Sequence, residues 1–223
     1  MTSDQPIDQQ QALERELAAA ARALRSGGVA AYPTETLYAL GCRAQDAAAC
    51  AKVAALKGRP EAKPFPLIVA DMDGLAAIAQ ELPPDLLRLA EAFWPGPLSV
   101  LVRTRDFLAP NVRDAAGFSS VRVTPHPTAR KLCRLAGPAL VATSANKSGQ
   151  PATALPGQLD PDLLSGADAA VLSRPWPGGG APSTLLRLLG GGQAQVLRLG
   201  AVGLAELSRV LRMAPQAPPA AAR

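Results

Sequence analysis

Four polar clusters in this chain carry residue types from which a binding or catalytic site could be built. KGRPEAKP (57–64) places Lys57, Arg59 and Lys63 in one short segment with a glycine and two prolines. Arginine offers phosphate oxygens a planar fork and lysine a mobile point charge, and on a proline-stiffened loop both lose less entropy on binding. The same cations could simply complement the dipole at a helix C-terminus. TSANKSG (143–149) follows an apolar run. There, Ser144 and Asn146 could help hold a carboxylate or phosphate with backbone N–H groups, or could only shape a turn. SSVRVTPH (119–126) interrupts β-branched residues with Arg122. In a central strand that guanidinium must meet an acid, a carboxylate or a phosphate; at a sheet edge it would be solvated. YPTETLYALG (32–41) brings Thr36 among further hydroxyls, and it could equally be a turn that caps a helix. Ser183, Thr184 and Arg198 are weaker members of the same kind.

Several chemistries lose support at once. No GxxxxGK[ST] is present, and no GxGxxG lies between a strand and a helix, so any nucleotide site must be built differently. The one histidine, His126, sits between Pro125 and Pro127, which argues against a histidine triad or a multi-histidine metal site. Cys42, Cys50 and Cys133 are odd in number and lack CxxC spacing, which fits a reducing compartment and neither a disulfide framework nor zinc. The polar, acid-bearing start MTSDQPIDQQQ does not read as a signal peptide, and no segment reaches the roughly 20 apolar residues that span a bilayer. The expectation is a soluble, cytoplasmic protein without membrane association. A formal charge of +5 suits nucleotide or RNA partners but does not choose between them.

The elements that must position these clusters alternate along the chain. At 223 residues, 48% hydrophobic and 18% charged, the prior is one α/β domain. Ala/Leu/Arg periodicity predicts a helix over 12–24, then a buried strand over 29–32 and a loop over 33–41. Asp46 is the expected N-cap of a helix reaching residue 56. Strands are expected over 66–70, 98–103, 119–124, 139–143, 170–172, 183–188 and 194–199. Helices are expected over 74–80, 85–93, 128–136 and 204–212. Residues 1–11 are expected to be flexible, 12–212 to form the domain, and the Ala/Pro-rich 213–223 to be disordered.

Taken in order, YPTETLYALG, KGRPEAKPFPLIV, FWPGPLSVLV, VRVTPHP, TSANKSGQPAT, STLLRL and LRLG resemble the YrdC family of threonylcarbamoyl-AMP synthases, over about residues 23–204. Ordered motifs at compatible spacing are far more specific than any one alone. The resemblance implies a single-domain α/β fold: a twisted open mixed sheet flanked by helices, with a basic concave face. It implies a nucleotidyltransferase that carboxylates the L-threonine amine with bicarbonate. The carbamate then attacks the ATP α-phosphate, pyrophosphate leaves, and threonylcarbamoyl-AMP serves the N6-threonylcarbamoyladenosine modification of tRNA.

By motif, the resemblance gives Lys57 and Arg59 to the ATP phosphates as the catalytic pair and Lys63 to a further nucleotide contact. Asn146, Thr153 and Arg198 would contact AMP. Thr36, Arg122, Ser144 and Ser183 would hold threonine, with Arg122 the partner of its carboxylate. Mg2+ would arrive with ATP and not in a protein cage, and no tightly bound cofactor is expected. A downstream threonylcarbamoyl transferase complex is the implied recipient.

Three departures from the family pattern stand out. LIVAD (67–71) occupies the place of a histidine, Arg187 that of an acid, and Ser99 that of a threonine. The extra C-terminal domain of longer relatives is not expected. Two other readings compete: a noncatalytic module binding tRNA or double-stranded RNA, which the 4% aromatic content does not favour, and a carbamoyl-transfer relative of the hydrogenase-maturation type, which would bring zinc-finger cysteines.

Overall fold

The computed structural model describes residues 5–58 and 63–215. In chain order the elements are α1 (Gln5–Arg25), β1 (Ala30–Pro33), β2 (Tyr38–Gly41), α2 (Ala47–Lys57), β3 (Leu67–Val69), α3 (Met72–Ile78), α4 (Pro84–Phe93), β4 (Leu98–Arg103) and β5 (Phe118–Val123). They continue with α5 (Pro127–Ala136), β6 (Leu140–Val141), β7 (Thr143–Ser144), α6 (Pro161–Gly166), β8 (Ala169–Ala170), β9 (Thr184–Gly190), β10 (Gln193–Arg198), α7 (Leu204–Leu207) and β11 (Arg212–Met213). Among the described residues no helix is long and apolar enough to cross a membrane.

The mixed α/β class holds, but the strands form two sheets where one was expected. The smaller has the order β7-β2-β1-β8 and the larger β11-β10-β9-β4-β5-β3-β6. Segment 139–145 joins them. Leu140 and Val141 pair antiparallel with β3 of the large sheet, whereas Thr143 and Ser144 pair antiparallel with β2 of the small one. Between these pairings, the Val141 N–H donates to the Cys42 carbonyl and that of Ala142 to the Pro66 carbonyl, both at 2.9 Å. A run read as one strand is therefore shared between two sheets.

Alternation explains where the core lies. Val29 and Ala31 face one apolar cluster, in which the inner sides of both sheets meet α2, α3 and α4. Ala30 and Tyr32 face a second, in which α1 and α5 cover the outer side of β1, β3 and β6. With both faces covered, β1, β2 and β3 are buried throughout, so short uniform apolar runs are stable as strands there.

That burial also accounts for β2, which lies within the segment expected to be a loop. The turn before it is closed by the Thr34 N–H and hydroxyl, both donating to the Leu37 carbonyl at 3.1 and 2.7 Å. The expected α2 cap is present: Asp46 accepts from the Ala49 N–H at 2.9 Å, a contribution of about 1 kcal/mol. Gly58, at φ 56°, ends α2 in the left-handed region and makes Lys57 its last residue.

The ends differ from expectation. α1 starts at Gln5 and extends the helix through most of the segment assigned as flexible. The expected 204–212 helix is cut to α7, because the chain turns to lay β11 beside β10. Met213 thus belongs to the sheet; residues 1–4 and 216–223, assigned as flexible and disordered, lie outside the described residues. Helix α6 had no counterpart in the sequence reading.

Close approach of the bridging segment fixes one glycine. A Cβ on Gly41 would lie 1.7 Å from the Val141 carbonyl oxygen, an atom that also accepts from the Tyr32 hydroxyl at 2.5 Å. Gly41→Ala should therefore lower the unfolding free energy in urea by about 2–4 kcal/mol. A wild-type unfolding midpoint would show that the bridge yields freely.

Candidate functional site

A cleft of about 640 Å³ opens where the two sheets diverge, within the size range of small-molecule sites. Segments from across the chain wall it. The β1–β2 turn supplies Thr34, Thr36 and Leu37, and the bridging segment with its following loop supplies Ala142, Thr143, Ser144, Asn146 and Gln150. Ser120 and Arg122 come from β5, and Lys63, Pro64 and Pro66 lead into β3. Pro182, Ser183 and Leu185 at the start of β9 face Arg198 at the end of β10.

Arg122 resolves the question its strand raised. β5 is an interior strand of the large sheet, and Arg122 is only 6% exposed. The acid it needs is Glu35, whose Oε1 accepts from the Arg122 Nε at 2.6 Å and whose Oε2 accepts from the Thr124 hydroxyl at 2.9 Å. Neither Nη of Arg122 has a partner among the described residues. Glu35 was missed by the sequence reading, although the TET of the first motif carried it.

Arg198 is held at the rim. Its Nε and Nη2 donate to the Ser183 carbonyl at 3.2 and 2.8 Å, and Nη2 also reaches the Ser183 hydroxyl at 3.1 Å. That hydroxyl lies 3.0 Å from the Ser99 hydroxyl, so the serine standing in a threonine's place still supplies a hydroxyl here. Partial burial, and then the Arg122 charge, lower the Arg198 pKa. Two cations held near each other in this way favour an anion between them.

Of the expected site residues, the cleft brings together Thr36, Lys63, Arg122, Ser144, Asn146, Ser183 and Arg198. Arg59 lies outside the described residues. Lys57 is put to a different use: it is 4% exposed, and its ammonium donates to the carbonyls of Ser144 and Asn146 behind the cleft wall. Its charge organises the Ser-Ala-Asn loop in place of lining the cavity. Thr153 is not on the lining either. Its hydroxyl accepts from the Leu155 N–H at 3.0 Å and donates to the Gln158 carbonyl of the side-chain amide at 2.8 Å, so it shapes its own loop.

Asn146 is unevenly satisfied. Its Nδ2 donates to the carbonyls of Lys147 and Gln150 at 3.0 and 2.6 Å, while the buried Oδ1 has no partner. An unpaired buried acceptor costs about 1–3 kcal/mol unless a ligand donor meets it. Of the departures, Leu67, Ile68 and Val69 are core residues and Asp71 caps α3, so LIVAD gives the cleft no polar group. Arg187 is exposed on β9 and does not line the cleft. Among the described residues no group of three His, Cys, Asp or Glu converges as a metal site would require.

Two variants test this geometry. Lys57→Met, which takes the donor from the Asn146 carbonyl and leaves the Ser144 carbonyl to the Asn146 N–H, should lose about 1–3 kcal/mol of unfolding free energy; full stability would remove the loop-holding role. His126 is 6% exposed, and burial lowers its pKa from the usual 6.5. The Glu35 charge and the carbonyls of Trp176 and Pro175 oppose this, yet neither ring nitrogen makes a hydrogen bond of ordinary geometry. Because the unfolded chain binds the proton more tightly, this contribution is complete above about pH 6.5 and is lost as the pH falls toward the folded pKa. Stability should drop as the pH falls below about 6.5, and His126→Phe should flatten that slope. An unchanged slope in the variant would assign the pH dependence elsewhere.

Comparison with known proteins places this geometry among relatives. The Sua5/YciO/YrdC family model, described as "Telomere recombination", matches residues 22–200. A threonylcarbamoyl-AMP synthase of Nitrosococcus oceani is 44% identical over 132 residues, 59% of this chain and 71% of that one. The crystal structure of P. abyssi Sua5 complexed with L-threonine superposes with a TM-score of 0.82 at 30% identity, over 91% of this chain but 60% of that longer one. E. coli YciO shares the fold, with a TM-score of 0.75 at 23% identity over 87% of this chain and 93% of its own.

Proposed function

The chain belongs to the Sua5/YciO/YrdC family, and from that premise we propose that it is a threonylcarbamoyl-AMP synthase acting on L-threonine, bicarbonate and ATP. The observation that carries the reading is the convergence of Arg122, Arg198, Lys63 and the hydroxyls of Thr36, Ser144 and Ser183 on one cleft. It holds cations for phosphates and a carboxylate, and no buried catalytic nucleophile is needed.

The threonine carboxylate meets the Nη groups of Arg122, and Thr36, Ser144 and Ser183 offer hydroxyls to the rest of the amino acid. Once the amine has condensed with bicarbonate, losing water to form a carbamate, a carbamate oxygen attacks the α-phosphorus of ATP. The bond to the bridging oxygen breaks, and pyrophosphate leaves with its electron pair. Lys63 and Arg198 neutralise charge on the phosphates, and Asn146, on the same lining, contacts the nucleotide. Positioning and charge neutralisation can supply the acceleration such a transfer requires.

Magnesium enters this reading bound to the triphosphate. Both oxygens of Glu35, the carboxylate beside the cleft, are already engaged, so the residues present suit a metal carried in by phosphate oxygens and water. It would screen the negative charge of the triphosphate. The product is a carbamic–phosphoric anhydride, reactive enough that a threonylcarbamoyl transferase acting on tRNA must consume it.

Pyrophosphate release from Mg-ATP, with threonine and bicarbonate omitted in turn, tests the reaction. Release should require both. Release without threonine, or none with all three present, would overturn the reading, and salt-sensitive RNA binding without turnover would favour a binding module.

A further inference from the structure

We infer that Glu35 is a positioning residue, which holds the Arg122 guanidinium so that its two Nη groups face the carboxylate of the amino-acid substrate. The inference rests on the proposed reaction for the identity of that carboxylate, but its geometry stands by itself. Glu35 engages the Nε corner of Arg122 at 2.6 Å and leaves both Nη groups without a partner among the described residues, on a side chain that lines the cleft. The paired side chains are 7% and 10% exposed, so little water competes for either.

The pair is not explained by the need to hold the β1–β2 turn. That turn is already fixed by its own Thr34 contacts and by the N–H groups of Gly178 and Gly179, which donate to the carbonyls of Glu35 and Thr36 at 3.1 and 3.0 Å. Nor does it serve bulk electrostatics. A carboxylate next to a cleft for anions weakens their binding, and only the orientation it imposes on Arg122 offsets that loss. Thr124 completes the arrangement by binding the second carboxylate oxygen, which leaves Glu35 one rotamer in which to meet Arg122.

The two effects have opposite signs, and this makes the inference testable. Glu35→Gln keeps the shape and deletes the negative charge. If charge alone mattered, the KM values for ATP and threonine would both fall or stay level. If Glu35 orients Arg122, the threonine KM should rise about tenfold, the worth of one charge-assisted hydrogen bond, while the ATP KM stays level or falls. Glu35→Asp should recover part of the loss. Should Glu35→Gln fail to fold, Thr124→Val takes its place, with a threonine KM raised about threefold through the weaker restraint on Oε2.

A second readout does not depend on turnover. In the wild-type protein the Arg122 Nε–H should give a slowly exchanging NMR resonance, and Glu35→Gln should shift it and speed its exchange. Unchanged or jointly moving KM values, or an Arg122 resonance indifferent to the variant, would overturn the inference. A wild-type protein without threonine-dependent pyrophosphate release would sink the proposed reaction alone, since the resonance still reports the orientation.

Discussion

The division of one extended segment between two sheets is the constraint on which the rest of the structure depends. Residues 140–144 must pair with β3 on one side and β2 on the other, and the sheets diverge from that line. The cleft is the space they leave. Because the segment ends at the divergence, Ser144 and Asn146 are delivered to the cavity wall with their backbone still tied to β2 through the Ala145 N–H on the Tyr38 carbonyl at 2.9 Å. Gly41 permits the approach and Lys57 holds the loop that follows, so residues far from one another in sequence serve the same junction.

The cations divide by task. Arg122 is buried and neutralised at one corner, Arg198 is pinned by the Ser183 carbonyl at the rim, and Lys57 is spent behind the wall. A cleft that must take a triphosphate and an amino acid gains little from undirected positive charge, since flexible cations lose entropy on every binding event. Tying guanidinium groups by some nitrogens while others stay available lowers that cost. The same logic explains why hydroxyls dominate the remaining lining: they can donate or accept as the ligand requires.

Much of this was legible in the sequence, and the parts that were not share a cause. Asp46 as a cap, the strand 98–103 and the helix ending before the WPGP segment follow from local rules, and each stands within a residue or two of its expected place. The expected gathering of Thr36, Arg122, Ser144, Ser183 and Arg198 came from ordered motifs. What the sequence hid was mutual placement. Lys57 reads as a phosphate ligand by family motif, although a cation at a helix C-terminus can simply complement the dipole, and only the loop folded over it turns its ammonium inward. Glu35 and Arg122 are 87 positions apart, so the demand that a buried arginine meet an acid was clear while the identity of that acid was not. The second sheet was hidden for a similar reason, since nothing local tells a strand to change partners midway.

The departures from the family motifs bear on how such a site tolerates change. Ser99 places a hydroxyl against that of Ser183 and lacks only a threonine's methyl group, and Ser183 in turn meets Arg198. Arg187 is exposed on β9 and does not itself line the cleft, although alternation puts it on the same face as Leu185, which does. The LIVAD stretch is different, because leucine, isoleucine and valine give the core three buried side chains and the cleft no polar atom. In the proposed reaction, the selectivity for threonine falls on the Arg122 fork and on the hydroxyls of Thr36, Ser144 and Ser183. The fork discriminates through geometry, and it can do so only if its plane is fixed before the ligand arrives. That requirement is what a buried carboxylate at the Nε corner meets, and it gives a reason for an acid to persist beside a cavity built for anions.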